Sequence, residues 1–496
     1  MRRMTIWRAK RKSYYNIMTS DLIESFSGVR GIYGSGITED LLRQYIFCYC
    51  ELFKGKLKAV VVGGDTRPST AVLKKMAMKS FGDCGVKKII DVGTLPIQVC
   101  EYSILKFKAD GGIYITASHN EPEFNGWKIL KNDGAIIYAR QSEQLIKMVH
   151  QRRALEIKEV KKIARPLVVK KEISAINNYI KYVLGRLGKK SVEEIKKARI
   201  QILIDPNGGS SVKVLKNVFA LLKIKAKFVN DKPGKFNRKI EPNKETLAYL
   251  EKYLKDGQLE FAAGFDCDAD RVELVVAPQT AYAKELGPVV SGNYVLSLAC
   301  DAMLLGTRGQ VVVVNDVTAY LVRDVIKKYG AVMKEVEVGE MVVVEEMEKQ
   351  KSIIGGEGSN GGVIIPPIKC RDGIMTLCLI LKLMAQSKKR FIDILESYPR
   401  YYWSHNKLAC QPEQSFKIKK ALESYYRSRG YKIKKTGGLT GGLKAAVDNS
   451  NYVWFRQSKT ESGLFRCYVE GNNKNKVRQL SEEGTKLFDK IKAAII

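Results

Sequence analysis

No apolar run in the 496 residues approaches the roughly 18 positions that a membrane-spanning helix needs. A helical membrane protein is therefore not expected. Ten cysteines are present, but no two stand three apart, and Cys48 and Cys50 are the closest pair. That spacing builds neither a zinc cage nor a disulfide scaffold, so most of these thiols read as small buried apolar residues in a reducing cytoplasm. Histidine is limited to three positions. Zinc-finger, RNP-like and basic-heptad patterns are missing. Acidic residues are outnumbered, 52 Asp and Glu against 85 Lys and Arg, leaving a formal charge of +33. An excess of this size fits nucleic acid, small phosphorylated ligands or a solvated Lys-rich surface.

What is present argues for a folded chain. A hydrophobic fraction of 45% with 28% charged residues excludes a wholly disordered polymer. Continuous β-rich runs recur at 58–63 (KAVVVG), 87–92 (KKIIDV), 112–116 (GIYIT), 200–204 (IQILI) and 310–314 (QVVVV). Helical patterns are expected at 70–81, 211–222 and 319–329. Such alternation predicts an α/β fold with buried parallel or mixed strands. The charged stretch 143–171 reads as a helix plus connector. After Pro399 come Tyr/Trp clusters, Gly pairs and short strands, the signature of a smaller α+β unit. Expected units are a basic extension over 1–17 (or an upstream start, with Met18 as the true one), then 18–164, 165–278, 279–398 and 399–496.

Four motifs carry chemistry. Thr116-Ala117-Ser118-His119-Asn120 follows the run GIYIT and places a hydroxyl at a strand-to-loop transition. Asn125-Gly126 reads as a turn before Lys128. Asp266-Cys267-Asp268-Ala269-Asp270-Arg271 sets three carboxylates at alternate positions, a pattern suited to a hard divalent cation. Residues 355–362 (GGEGSNGG) let backbone approach a ligand, while Glu357 and Ser359 offer acceptors for sugar hydroxyls; Arg371-Asp372-Gly373 follows. Arg456-Gln457-Ser458-Lys459-Thr460 combines cations and hydroxyls able to grip a phosphate. Two smaller segments accompany them, Ser27-Gly28-Val29-Arg30-Gly31 and the helix-opening turn Asp65-Thr66-Arg67-Pro68-Ser69.

Taken in order, these segments resemble the α-D-phosphohexomutases: phosphoglucomutase, phosphomannomutase and phosphoglucosamine mutase. The resemblance spans Ser27 to about Glu470 and implies four domains around a central cleft, three of similar α/β build and a smaller fourth. It implies that Ser118 carries a phosphoryl group and that Asp266, Asp268 and Asp270, with the phosphoserine oxygen, hold one Mg²⁺. Arg30, Lys128 and His119 would attend the transferring phosphate. Arg271, Gly339, Glu340, Glu357, Ser359 and Asn360 would meet the sugar, and Arg456, Ser458, Lys459 and Thr460 the second phosphate. Lys128 with a lowered pKa is the preferred acid/base and His119 the second choice; His150 and His405 lie outside the motifs.

Several positions depart from the family pattern: Glu121 close to Ser118, Cys267 in the metal loop, Gln457 and Lys459 in the phosphate loop, and Met341 after Glu340. The loop GEGSNGG is nearest the archaeal phosphoglucosamine mutase form, with an added Ser. The expected activity is interconversion of hexose 6- and 1-phosphates, primed by a hexose 1,6-bisphosphate, with glucosamine phosphate first and glucose or mannose phosphate next. A non-catalytic sugar-phosphate-binding homologue and a nucleic-acid-binding protein are the rivals, the latter suggested by charge alone.

Overall fold

The computed structural model describes residues 22–155, 167–358, 361–438, 441–458 and 463–495. The basic extension 1–17 lies outside them. Four sheets follow one another along the chain. The first contains β1 (Leu22–Ser25), β2 (Gly28–Ile32), β3 (Ala59–Gly64), β4 (Lys88–Thr94), β5 (Gly111–Ile115), β6 (Phe124–Lys131) and β7 (Val168–Lys171), in spatial order β1-β2-β6-β5-β3-β4-β7. The second contains β8 (Gln201–Asp205), β9 (Lys225–Phe228), β10 (Ala262–Phe265), β11 (Val272–Val275) and β12 (Val289–Val290), ordered β12-β11-β10-β8-β9. The third is β14-β13-β15-β16, from β13 (Val311–Asn315), β14 (Val332–Val336), β15 (Ile354–Gly356) and β16 (Val363–Ile364). The fourth is β17-β21-β20-β19-β18, from β17 (Tyr402–Ala409), β18 (Lys432–Lys435), β19 (Leu443–Ala446), β20 (Tyr452–Gln457) and β21 (Leu464–Gly471).

The first three sheets are mixed. β3 runs parallel to β4 and β5, whereas β6 runs antiparallel to β5 and β2. Their Val/Ile runs are buried on both faces because helices cover the sheets, which is why the runs show no alternation. Helices Thr70–Asp83, Val212–Leu222 and Tyr320–Lys327 occupy the expected places. The fourth sheet is wholly antiparallel; β17 and β21 alternate inside and outside, whereas β19 and β20 are buried along almost their whole length. It packs its own core, including Leu422, Phe455 and Phe488, against helices Pro412–Ser428 and Lys474–Ile495.

Three details differ from the sequence reading. Val168–Lys171, read as connector, pairs with β4 as the last strand of the first sheet. All four of its residues are exposed, so no burial pattern announced it. Likewise β12 edges the second sheet from beyond residue 278. Asn125-Gly126, read as a turn, lies inside β6. A Cβ on Gly126 would stand 1.9 Å from the Val29 carbonyl oxygen, so the glycine serves close strand approach rather than a bend. The Asn125 amide is used up on Ser69 Oγ and Thr70 Oγ1.

Candidate active site

The loop after β5 carries Ser118 in the left-handed region, φ +53°. Such a conformation persists only where surroundings enforce it. Thr116 Oγ1 accepts the Ser118 N–H at 2.8 Å and donates to Asp65 at 2.7 Å. Arg67, fully buried against Asp65 at 3.1 Å, donates to the carbonyls of Ser118 (2.7 Å) and Phe124 (3.0 Å) and to those of Asn120 and Glu121. The Ser118 hydroxyl lies 3.3 Å from His119 Nδ1. Arg271, burial and Arg30 push the His119 imidazole down to about 2, so it is neutral at pH 7.

The loop after β10 turns tightly through Ala269, φ +60°, and buries Asp266, Asp268 and Asp270 completely. One carboxylate oxygen from each can be chosen so that all three lie within 4.8 Å of one another. Asp266 Oδ2, Asp268 Oδ1 and Asp270 Oδ1 have no hydrogen-bond partner. Burial and repulsion from Asp270 and Asp268 hold Asp266 far above the usual carboxylate range. Burial would raise Asp270 too, but Arg371, Lys128 and Arg271 overcome it and hold that group low. Three converging oxygens, each with unmet capacity, fit a hard cation of the Mg²⁺ type. Cys267 is buried between them, its sulfur 3.6 Å from Thr66 Oγ1.

Thr116 Oγ1, 3.3 Å from Asp268, joins the two loops, and Lys128 on β6 pairs with the acidic one. Its ammonium lies 3.3 Å from Asp268 and 3.9 Å from Asp270. The expected lowered pKa is overturned. Burial does press it down, but Asp268, Asp270 and Glu340 together raise it above its ordinary value. Lys128 is therefore a fixed cation, and His119, kept neutral by its own cationic surroundings, offers Nδ1 to the Ser118 hydroxyl as a hydrogen-bond partner rather than as a strong base.

The third sheet supplies the opposite side. Gly339 (φ +144°) precedes Glu340 at the start of a helix, and Glu357 follows β15. Glu357 accepts from Asn315 at 3.0 Å and from the Gly339 N–H at 3.1 Å. Arg371 contacts Asp270 (2.7 Å), Glu340 (3.3 Å) and Glu357 (3.3 Å), tying the metal loop to both sugar loops. Arg271 pairs with Glu241 at 2.6 Å. On the fourth sheet Arg456 stands directly across from Arg466. Like charges so placed repel. Glu337 of the third unit offsets them in part, its Oε1 3.6 Å from Arg456.

These walls enclose one cleft of 410 Å³. Arg30, Ser118, His119, Lys128, Arg271, Gly339, Glu340, Glu357, Arg456 and Ser458 all line it. The Asp triad lies beneath its floor. Ser359, Asn360, Lys459 and Thr460 fall outside the described residues. His405, set apart from the motifs in the sequence, also lines the cleft, as do Phe26 and Arg466. None of the three belongs to a recognisable motif; period-two alternation along β17 and β21 was the one available signal. His150 instead pairs with Glu24 at 2.6 Å, outside the cleft.

Family models described as phosphoglucomutase/phosphomannomutase α/β/α domains I, II and III match residues 23–156, 177–279 and 291–401. The chain belongs to the phosphoglucomutase/phosphomannomutase family. A phosphoglucomutase/phosphomannomutase of Thermococcus kodakarensis is 31% identical over 474 residues, covering 93% of this chain and 97% of that protein. A phosphoglucosamine mutase of Methanococcus maripaludis is 27% identical over 436 residues, covering 86% and 91%. In fold, a Burkholderia thailandensis phosphoglucomutase/phosphomannomutase family protein superposes with a TM-score of 0.76 at 19% identity, covering 95% of this chain and 98% of that one. Family membership makes the protein an enzyme, an isomerase that moves a phosphoryl group. No helix among the described residues of this family member is long and apolar enough to cross a membrane.

Proposed function

We propose that the chain interconverts hexose 6-phosphate and hexose 1-phosphate through phosphorylated Ser118 and a hexose 1,6-bisphosphate, with glucosamine phosphate as substrate. One observation carries this reading. Ser118, linked to the acidic loop through Thr116, shares a single cleft with Lys128 and with the Arg456–Arg466 pair of the fourth sheet. A substrate with a phosphate at each end fits that spacing of functions.

In the first half-reaction the P–Oγ bond of phospho-Ser118 breaks as a P–O bond forms to the sugar hydroxyl. The hydroxyl proton passes to the departing Ser118 Oγ, which His119 Nδ1 holds in place by a hydrogen bond. The bisphosphate turns over and returns its other phosphoryl group to Ser118 by the reverse proton path. Lys128 and Arg30 stabilise charge on the transferring group. Asp266, Asp268 and Asp270, with a phosphoserine oxygen, would hold Mg²⁺, which neutralises phosphoryl charge and polarises the P–O bond. Glu340 and Glu357 accept sugar hydroxyls, with Arg271, Gly339, Ser359 and Asn360 beside them. Arg456, Ser458, Lys459 and Thr460, joined by Arg466, hold the other phosphate, and a hexose 1,6-bisphosphate primes the enzyme. The units 18–164, 165–278, 279–398 and 399–496 each contribute one wall. Ten thiols without a disulfide support a cytoplasmic setting.

The 31% identity to a phosphoglucomutase/phosphomannomutase favours glucose or mannose phosphate as the second reading. Pure protein with Mg²⁺, primer and each hexose 6-phosphate in turn decides between them. Glucosamine 1-phosphate should form fastest, and Ser118→Ala should form none. A wild-type protein that yields no 1-phosphate from any sugar would sink the proposal.

A further inference from the structure

We infer that Phe26 is the sugar-stacking residue of the cleft, an apolar contact that serves the hexose in both of its orientations. The inference rests on the mutase reading above. β1 and β2 form a hairpin in which Ser25 pairs with Gly28, leaving Phe26 and Ser27 as its two-residue tip. The polar atoms of that tip are engaged inward. Ser25 and Ser27 share a hydrogen bond of 2.9 Å, and Ser27 Oγ accepts from Arg30 at 3.2 Å. The Phe26 ring instead lines the cleft, half-buried, and reaches the third unit. A Cβ on Gly339 would lie 3.6 Å from its Cε2 and 3.8 Å from its Cζ. The ring edge is thus in van der Waals reach of the backbone next to Glu340.

The groups that read hydroxyls here are Glu340, Glu357 and Arg371, and hydrogen bonds of that kind are directional. A hexose also has two faces that carry C–H groups. Between half-reactions the sugar must present first one end and then the other to Ser118, so hydrogen bonds made in one pose are broken in the next. Contact with an aromatic face is far less directional and survives the turn. Small-ligand sites pair such an apolar wall with a few fixed polar groups. Other rings line the cleft, but Trp454 is only 3% exposed, and Tyr468 packs against both His405 and Tyr452, with ring centroids 6.3 and 6.2 Å apart.

The experiment compares wild type with Phe26→Ala, Phe26→Leu and Phe26→Tyr at matched melting temperature, using the fastest hexose 6-phosphate. It measures KM, kcat and the bisphosphate released per turnover, the last by isotope trapping. Phe26→Ala should raise KM by about tenfold and increase bisphosphate escape, with Phe26→Tyr close to wild type and Phe26→Leu between. Wild-type KM and escape in Phe26→Ala, or full rescue by Phe26→Leu, would overturn the stacking role. Failure of the wild type on every sugar would instead remove the mutase reading beneath it.

Discussion

Arg67 holds four backbone carbonyls of the serine loop with one guanidinium, and Asp65 holds Arg67. Removing it strands a buried carboxylate and frees the loop that keeps Ser118 at positive φ. Arg67→Ala is expected to cost about 3–5 kcal/mol in urea unfolding and to lower kcat far more than it raises KM. Arg67→Lys should not rescue either, because a point charge cannot bond four carbonyls in a fork. Nothing in the sequence announced this role. Every residue owns a carbonyl, so partners of that kind leave no mark in composition or spacing. Ser118 and the three aspartates were legible for the opposite reason, since their own side chains are the signal. The protonation of Lys128 was not, because it is set by Asp268 and Asp270 on one loop and Glu340 on another unit.

Among the elements, the buried Val/Ile strands were readable to within two residues, for a two-face-buried strand has a composition of its own. β6 and β7 were not. An Asn-Gly pair is ordinarily the strongest hairpin signal, yet in β6 it lies where the chain passes β2 most closely, at the Arg30–Gly126 pair. Gly126→Ala should therefore lower the free energy of unfolding by about 3 kcal/mol, the cost of forcing two paired backbones apart. Wild-type stability in that variant would contradict the close approach. β7 had no inward face to betray it; its exposed residues gain order from backbone pairing with β4 alone.

Across the whole molecule, three buried carboxyls, Glu101, Glu273 and Glu470, are pushed up to about 8, chiefly by burial. Each is protonated in the fold but ionised when unfolded above its ordinary value near 4.5. Their contribution to stability is thus complete below about pH 4.5 and falls by roughly 1.4 kcal/mol per pH unit and per group until about pH 8. Unfolding followed from pH 5 to 8.5 should show this decline, and Glu273→Gln should make it shallower while leaving the pH 5 value nearly unchanged. An identical slope would place that proton elsewhere. The +33 charge, first compatible with nucleic acid, is only in small part accounted for by the cations of the cleft. The four sheets also differ in when they are made. The fourth, with its separate core, emerges from the ribosome after the other three. Until then a growing chain carries the serine loop, the acidic loop and the wall with Glu340 and Glu357, but not Arg456 and Arg466. The cleft is thus completed only after the other three walls have been made, so a half-made chain holds it open on the side of the Arg456–Arg466 pair.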